Sequence, residues 1–578
     1  MTTPAAEASS MRGTEPSTAA TLPSRLVRTA TRRRRRDLIV GSIFVMFHQA
    51  SETVVPIMIG VAIDRAVVTG DGAAMARWVG ALAVVFTMLT CAGLVGYYSL
   101  ERAQLWIAHD VRQLVVERVL DPRGGVGVRS GDVVSLASDD AEEVGAVSWA
   151  IGLGAGALPA LIGGSAFLLA VSLPLGLVVI VGVPIVVSVV MVLSRPLVGR
   201  SEQEQAAVAT ATGVATDLLR GLRVLKGLGV GDEASSRYRI ASRSALAARL
   251  RSARFFAGYE GLTLGVSGAL VVVVAWLGGR LALEGEITIG QLIAAVGLAQ
   301  FLIGPLSFLI ESGAQAATVR AAARRVTALR DRPIAVDECD GGMPPHVPDA
   351  PVIELVAVGG ERLARVDLVA ESGSVIGVVA EPGDAAAIVE LLARRRDPDR
   401  GRVQVRGVDA RRWPLDELRA EMVVTAADAV LFEGAVRDQV AVGDVDGATI
   451  DAAIEAATVD EVAEALPAGL DSPVGEGGSA LSGGQRQRVM LARALASDAP
   501  TVVLHDPTTA VDASTEHLIA GRIARLRRGR GTTVLVTTSP ALLAICDEVV
   551  VVRDGTTQRR GRHDELLDDP DYVELVLR

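Results

Sequence analysis

The chain has 578 residues, half of them apolar, with a mean hydropathy of +0.39 and a formal net charge of -10. That length suits roughly two to four domains, and the acidic balance excludes a globally basic nucleic-acid binder. Three scattered cysteines, Cys91, Cys339 and Cys546, form neither a metal-binding spacing nor a disulfide framework.

Residues 1–31 are small and polar and read as a disordered tail, not as a signal peptide. Arg32 to Arg36 then run directly into an apolar stretch, as a cytosolic anchor does. Six segments, near 38–63, 78–100, 146–168, 171–193, 260–283 and 288–310, are long enough to cross a bilayer. The first carries His48, Gln49, Ser51 and Glu52, which are costly in lipid and are expected to face the bundle interior or a water-filled cavity. Arginines crowd the stretches 101–129, 194–256 and 320–330, while the loops near 64–77, 169–170 and 284–287 have few basic residues. This asymmetry predicts a multi-pass protein of the bacterial cell membrane with both termini in the cytoplasm. The arginine-rich loops at 101–120 and 201–256 are rich in helix formers, so the membrane helices are expected to continue into the cytosol. A membrane domain over 32–330 follows.

Residues 331–350, rich in Asp, Pro and Gly, read as a linker. From 351 to 578, short Val/Ile/Leu runs alternate with helical stretches, the pattern of an α/β domain, with a helical subdomain around 435–500. The most specific segment is Leu481-Ser482-Gly483-Gly484-Gln485-Arg486-Gln487-Arg488, followed by a helical run. A strand at 501–504 and the turn Asp506-Pro507-Thr508-Thr509-Ala510-Val511-Asp512 come next. Glycines let a backbone approach phosphate, and a helix N-terminus with free N–H groups favours an anion.

On these residues the chain resembles the ABC transporter family, specifically exporter-type half-transporters with the membrane domain first, over essentially residues 25–578. The resemblance implies six transmembrane helices followed by an α/β P-loop-NTPase-like nucleotide-binding domain. It further implies that Ser482, Gly483, Gly484 and Gln485, with the D-loop aspartate Asp512, act on ATP held by a second chain.

Several family positions are substituted. Ala380-Glu381-Pro382-Gly383-Asp384-Ala385-Ala386-Ala387 occupies the Walker A place, with Ala386 at the lysine and Ala387 at the magnesium-ligand Ser/Thr. The chain has one lysine, Lys226, in the membrane half, so no lysine of the soluble domain can substitute. Residues 351–380 offer no stacking aromatic, and Ala427 stands at the Q-loop glutamine. His505 stands at the Walker B aspartate, Asp506 at the general-base glutamate and Thr538 at the switch histidine.

The expectation from this pattern is a degenerate subunit of a heterodimer with no catalytic residue acting on its own nucleotide. ATP and Mg2+ would be held mainly by a homologous half-transporter with intact Walker A, Walker B and catalytic glutamate. The cargo would be a small molecule or lipid crossing the bilayer, with multidrug efflux of a hydrophobic or amphipathic compound favoured by the apolar bundle. Siderophore-type import by the same fold and a non-transporting regulatory pseudo-ATPase are the alternatives.

Overall fold

The computed structural model describes residues 23–339, 345, 347–426, 430–443 and 445–576, with side chains for all of these except 195–202 and 223. The chain divides into two compact units, Met1–Arg118 with Val128–Asp331 and Val119–Gly127 with Arg332–Arg578.

The first unit is all helix. An amphipathic helix, α1 (Pro23–Arg33), buries Leu26 and Ala30 and leaves its arginines outward. It replaces the disordered tail expected over 23–31; residues 1–22 lie outside the described residues. Six spans follow, built on α2 (Arg35–Ala62), α3 (Gly72–Val119), α4 (Val147–Val171), α5 (Leu173–Arg220), α6 (Gly231–Leu283) and α7 (Ile289–Arg330). With 48 residues, α3 is about 70 Å long at 1.5 Å per residue, more than twice a bilayer's hydrocarbon thickness. Helices of this length must leave the membrane as rods, as the arginine-rich loops lead one to expect.

Small residues let these helices approach closely. A Cβ added to Gly60 of α2 would lie 2.3 Å from the carbonyl oxygen of Gly290 in α7. The same crossing is fastened by Asp64, whose carboxylate accepts from the Gly290 amide at 2.8 Å and from the Thr288 hydroxyl. Thr288 in turn opens α7 with a capping box closed by Gln291.

The second unit holds two sheets. Strands β1 (Ile353–Gly359), β2 (Val366–Ala370), β4 (Arg400–Val405) and β5 (Val408–Asp409) form an antiparallel sheet in the order β2-β1-β4-β5. The larger sheet has the order β10-β9-β3-β8-β7-β6 and is built from β3 (Val375–Val379), β6 (Met422–Thr425), β7 (Thr501–His505), β8 (Thr532–Val536), β9 (Glu548–Arg553) and β10 (Thr556–Gly561). Its strands β6, β7, β8, β3 and β9 run parallel, and β10 pairs antiparallel to β9. Every residue of β3 and β8 is buried, as in a parallel sheet covered on both faces; β3 reads as a continuous apolar run, while β8 opens with two buried threonines, Thr532 and Thr533.

The segment read as a linker begins as docked chain. Ala335 and Val336 donate to the Arg123 carbonyl, and the buried Arg394 guanidinium donates to the carbonyls of Asp337 and Trp413 at 2.8 and 2.9 Å. Residues 340–344 lie outside the described residues.

Candidate nucleotide site

The turn after β3 is where a nucleotide-binding sheet of this type presents a phosphate cradle. Here helix α8 (Pro382–Leu392) starts two residues after Ala380, with Glu381 at the N-cap making no side-chain capping bond. Residues 380–387 are all described, and none has a positive φ. The reason is local. Proline is pre-organised for the first helical position, the alanines at 385–387 favour helix, and only Gly383 could supply left-handed backbone. Ala386 is exposed on this helix, while Ala387 is buried. Asp384, which adds negative charge beside the cradle in the sequence, is tied into the fold: its carboxylate is buried and accepts the Gly555 amide at 2.9 Å.

The structure also shows a cation that the sequence reading overlooked. The guanidinium of Arg362, from the turn after β1, lies over Gly383, and a Cβ added there would sit 2.5 Å from its Nη1. The side chain is exposed, with no side-chain hydrogen bond or ion pair among the described residues. A lysine search cannot find it. The signal was an arginine in the Gly359-Gly360-Glu361-Arg362 turn, where the stacking aromatic was sought.

The signature segment opens helix α10 (Gly483–Ala496). Ser482 Oγ accepts from the Gln485 amide at 3.3 Å, and Gln485 Oε1 accepts from the Ser482 amide at 2.9 Å, a complete capping box. Ser482 and Gly483 are exposed. Gly484 packs so tightly that a Cβ there would lie 2.6 Å from the Ala510 carbonyl oxygen. Gln487, not singled out in the sequence, fixes the same contact. Its amide nitrogen donates to Thr509 Oγ1 at 2.6 Å, and its oxygen accepts from the Ala510 amide at 2.7 Å. The signature helix and the 506–512 turn are therefore one rigid piece.

Asp512 caps helix α11 (Ala513–Arg527), accepting from Ser514 Oγ and from the Thr515 amide at 3.0 Å. These bonds, the Ser514 hydroxyl first, pull its carboxyl well below the usual range. Its Oδ1 is thus already engaged within the chain.

At the end of β7, His505 Nε2 lies 3.8 Å from Asp506 Oδ2, and both line a small cavity with Thr425, Gln487 and Met490. Thr538 is exposed after β8. Ala427 lies outside the described residues. Ala380, Gly383 and Ala385 to Ala387 thus share one helix start after β3, Ser482 to Gln485 and Asp512 share the α10–α11 piece, and His505 and Asp506 end β7.

Residues 38–306 match the family model for the ABC transporter transmembrane region, and 363–509 match that for the ABC transporter domain. A multidrug efflux ATP-binding/permease protein of Mycobacterium tuberculosis is 31% identical over 94% of this chain and 46% of its own length. An ATP-dependent lipid A-core flippase of Aromatoleum aromaticum is 29% identical over 87% of this chain and 86% of its own. A solved bacterial Atm1-family ABC exporter with ATP bound superposes with a TM-score of 0.73 at 23% identity, covering 95% of this chain and 98% of that one, which shows a shared fold. The chain spans about half the length of the curated relatives it matches first, 46% in each case.

These findings overturn the expected degenerate heterodimer subunit. The ABC transporter match runs without interruption from 363 to 509, through both the Walker A place and the signature, and implies ATP with magnesium in general. The flippase matches this chain along most of both lengths, and its name describes an ATP-dependent protein rather than one member of a mixed pair. A distinct, catalytically intact partner, a degenerate site and inactivity of the chain by itself fall with that reading, and the match lends no support to a nucleotide held mainly by a partner. The physical reason is that the site was judged by residue identity at single motif positions, whereas the fold also brings the Arg362 guanidinium beside Gly383.

Proposed function

From a polytopic six-helix membrane domain fused to an α/β P-loop-type ABC nucleotide-binding domain as premise, we propose that the chain exports a hydrophobic or amphipathic compound, a lipid or a drug, powered by ATP and acting as a pair of identical copies. Both termini lie in the cytoplasm, following the arginine asymmetry. The observation that carries the reading is the signature helix start. Ser482 and Gly483 are exposed and capped for an anion, and they are locked by Gly484 and Gln487 to the turn that ends at Asp512.

In this reading the phosphates of one copy's ATP meet the 483–484 amides of the other copy. On their own chain they meet the first turn of α8, where the Gly383 amide is available and Arg362 supplies positive charge. Arginine suits this task because its planar fork binds phosphate oxygens in pairs. Asp506 acts as the base for the attacking water, with the His505 ring 3.8 Å from its Oδ2. Magnesium prefers oxygen ligands and keeps several waters. With Asp506 serving as the base, and no second carboxylate at the end of β7, a metal would be carried largely by the phosphates and its own waters.

The test is reconstitution of the purified chain in liposomes with a fluorescent phospholipid and a fluorescent hydrophobic drug. ATP-dependent movement of either supports export. Movement of neither, in vesicles where the protein is folded and inserted, contradicts it.

A further inference from the structure

Within the membrane unit, five side chains form one connected row. Its lower end is marked by Arg102 near Asp37, 4.0 Å apart, at the arginine-rich end of α2. Beside Arg102, Glu101 Oε2 accepts the indole N–H of Trp149 at 3.2 Å. Trp149 stacks on Tyr97, with ring centroids 5.7 Å apart and planes at 25°. Tyr97 meets His48 edge-on at 5.6 Å. His48 Nδ1 lies 2.7 Å from the Leu89 carbonyl oxygen, which can only accept, so Nδ1 carries the proton and Nε2 faces Glu52 Oε2 at 3.8 Å. Gly93 makes the room: a Cβ there would lie 3.1 Å from the imidazole.

The row thus climbs from the arginine-rich end to mid-membrane. Glu52 stands 17 residues beyond Arg35, about 25 Å up the helix at 1.5 Å per residue. Among the described residues neither Glu52 nor Glu101 is paired with an arginine or lysine, and the Glu52 side chain is 43% exposed. A carboxylate facing hydrocarbon with only the His48 ring beside it would be expensive, so its exposed face is expected to meet water, the second copy or a ligand. Two anionic ends joined by three aromatic rings recognise a positive charge carried on an apolar body, through Coulomb attraction and ring faces together.

We propose that Glu101, Trp149, Tyr97, His48 and Glu52 form a recognition path for lipophilic organic cations, entered from the arginine-rich, cytoplasmic end. This names the substrate class for the export reading and rests on that reading for its direction. The cation's charge is passed from Glu101 over the Trp149 and Tyr97 faces to Glu52.

The test is equilibrium binding of radiolabelled tetraphenylphosphonium to the purified full chain in lipid nanodiscs without nucleotide, with tetraphenylborate as the anion of matching shape. Saturable phosphonium binding that tetraphenylborate does not displace is expected. Glu52→Gln and Tyr97→Leu should each weaken it about tenfold, while Tyr97→Phe retains it. Tyr98→Leu should leave it unchanged, because Tyr98 is outside the row. Equal competition by tetraphenylborate, absence of saturable binding, or full affinity in both Glu52→Gln and Tyr97→Leu would overturn the path. Thermal melting of each variant separates lost binding from lost folding, and Glu101→Gln, on an exposed side chain, gives a second carboxylate variant if Glu52→Gln does not fold. Because binding is read without ATP, phosphonium binding with no ATP-driven transport upholds the path and defeats export. ATP-driven lipid movement with no phosphonium binding does the reverse.

Discussion

Two helices in the nucleotide-binding half begin at turns suited to phosphate, and they begin in opposite ways. Helix α10 starts from Ser482 with a full capping box, an exposed glycine and no acidic residue in its first turn. Helix α8 starts from Glu381 without a side-chain cap, with Pro382 first, then Gly383, and Asp384 in its first turn. The first leaves its opening amides organised and electropositive. The second offers fewer donors, and the Arg362 guanidinium lies over it. In the proposed reading, one anion site is made from a helix start alone and the other from a poorer start completed by a remote side chain. A motif search registers only the first kind.

The sharpest way to break this comparison is to remove the remote cation. Arg362→Ala should lower ATP hydrolysis by about 100-fold or more, the loss that follows removal of one preorganised stabiliser of developing charge. Arg362→Lys should recover part of it, as a point charge without the fork. Steady-state hydrolysis by the purified variants is the measurement. Wild-type turnover in Arg362→Ala would return the α8 start to dependence on its backbone alone.

Next in size is Gly484→Val, which forces side-chain atoms against the Ala510 carbonyl. It should cost about 1–3 kcal/mol in stability of the soluble half and uncouple the signature from the 506–512 turn. Denaturant midpoints and hydrolysis rates read the two effects separately. A stable, fully active Gly484→Val would show that the contact yields without consequence.

The caps themselves give a smaller contrast. Ser482→Ala should cost about 1 kcal/mol, whereas Glu381→Ala should stay within about 0.5 kcal/mol, because Glu381 makes no capping bond. Equal losses at the two positions would erase the distinction.

The smallest effect lies away from both starts and serves as a control. Burial holds the His563 imidazole below its ordinary value, and its Nδ1 meets Tyr572 Oη at 2.7 Å. A depressed value means that the folded state disfavours the proton. The stabilisation is complete above about pH 6.5, the unfolded imidazole value, and is lost as pH falls through the lower folded value. The melting temperature should fall modestly over that window, and His563→Gln should flatten the trend. A melting temperature that rises on acidification would reverse the sign.

Much of the membrane half was legible because lipid imposes a single rule. A spanning segment must be long, apolar and helical, and arginines must gather on one side. His48, Gln49 and Glu52 were readable as inward-facing, and Gln49 is indeed buried. The joining of His48 and Glu52 to Tyr97, Trp149 and Glu101 was not readable, since the latter three come from two other helices. In the soluble half, the Ser482 to Gln487 segment carries its structure locally, as spaced capping residues and glycines. The Arg362 contact is long-range: nothing in residues 380–387 announces a guanidinium from the turn after β1. Helix α1 was missed because its apolar face is only one residue in four wide, within a stretch whose polarity reads as tail.

The most direct test of the account is magnesium-dependent ATP hydrolysis by this chain purified to homogeneity in lipid nanodiscs, with no other half-transporter present. The account predicts sustained turnover that Ser482→Ala weakens and Arg362→Ala nearly abolishes. A folded, homogeneous preparation that hydrolyses no ATP would contradict it.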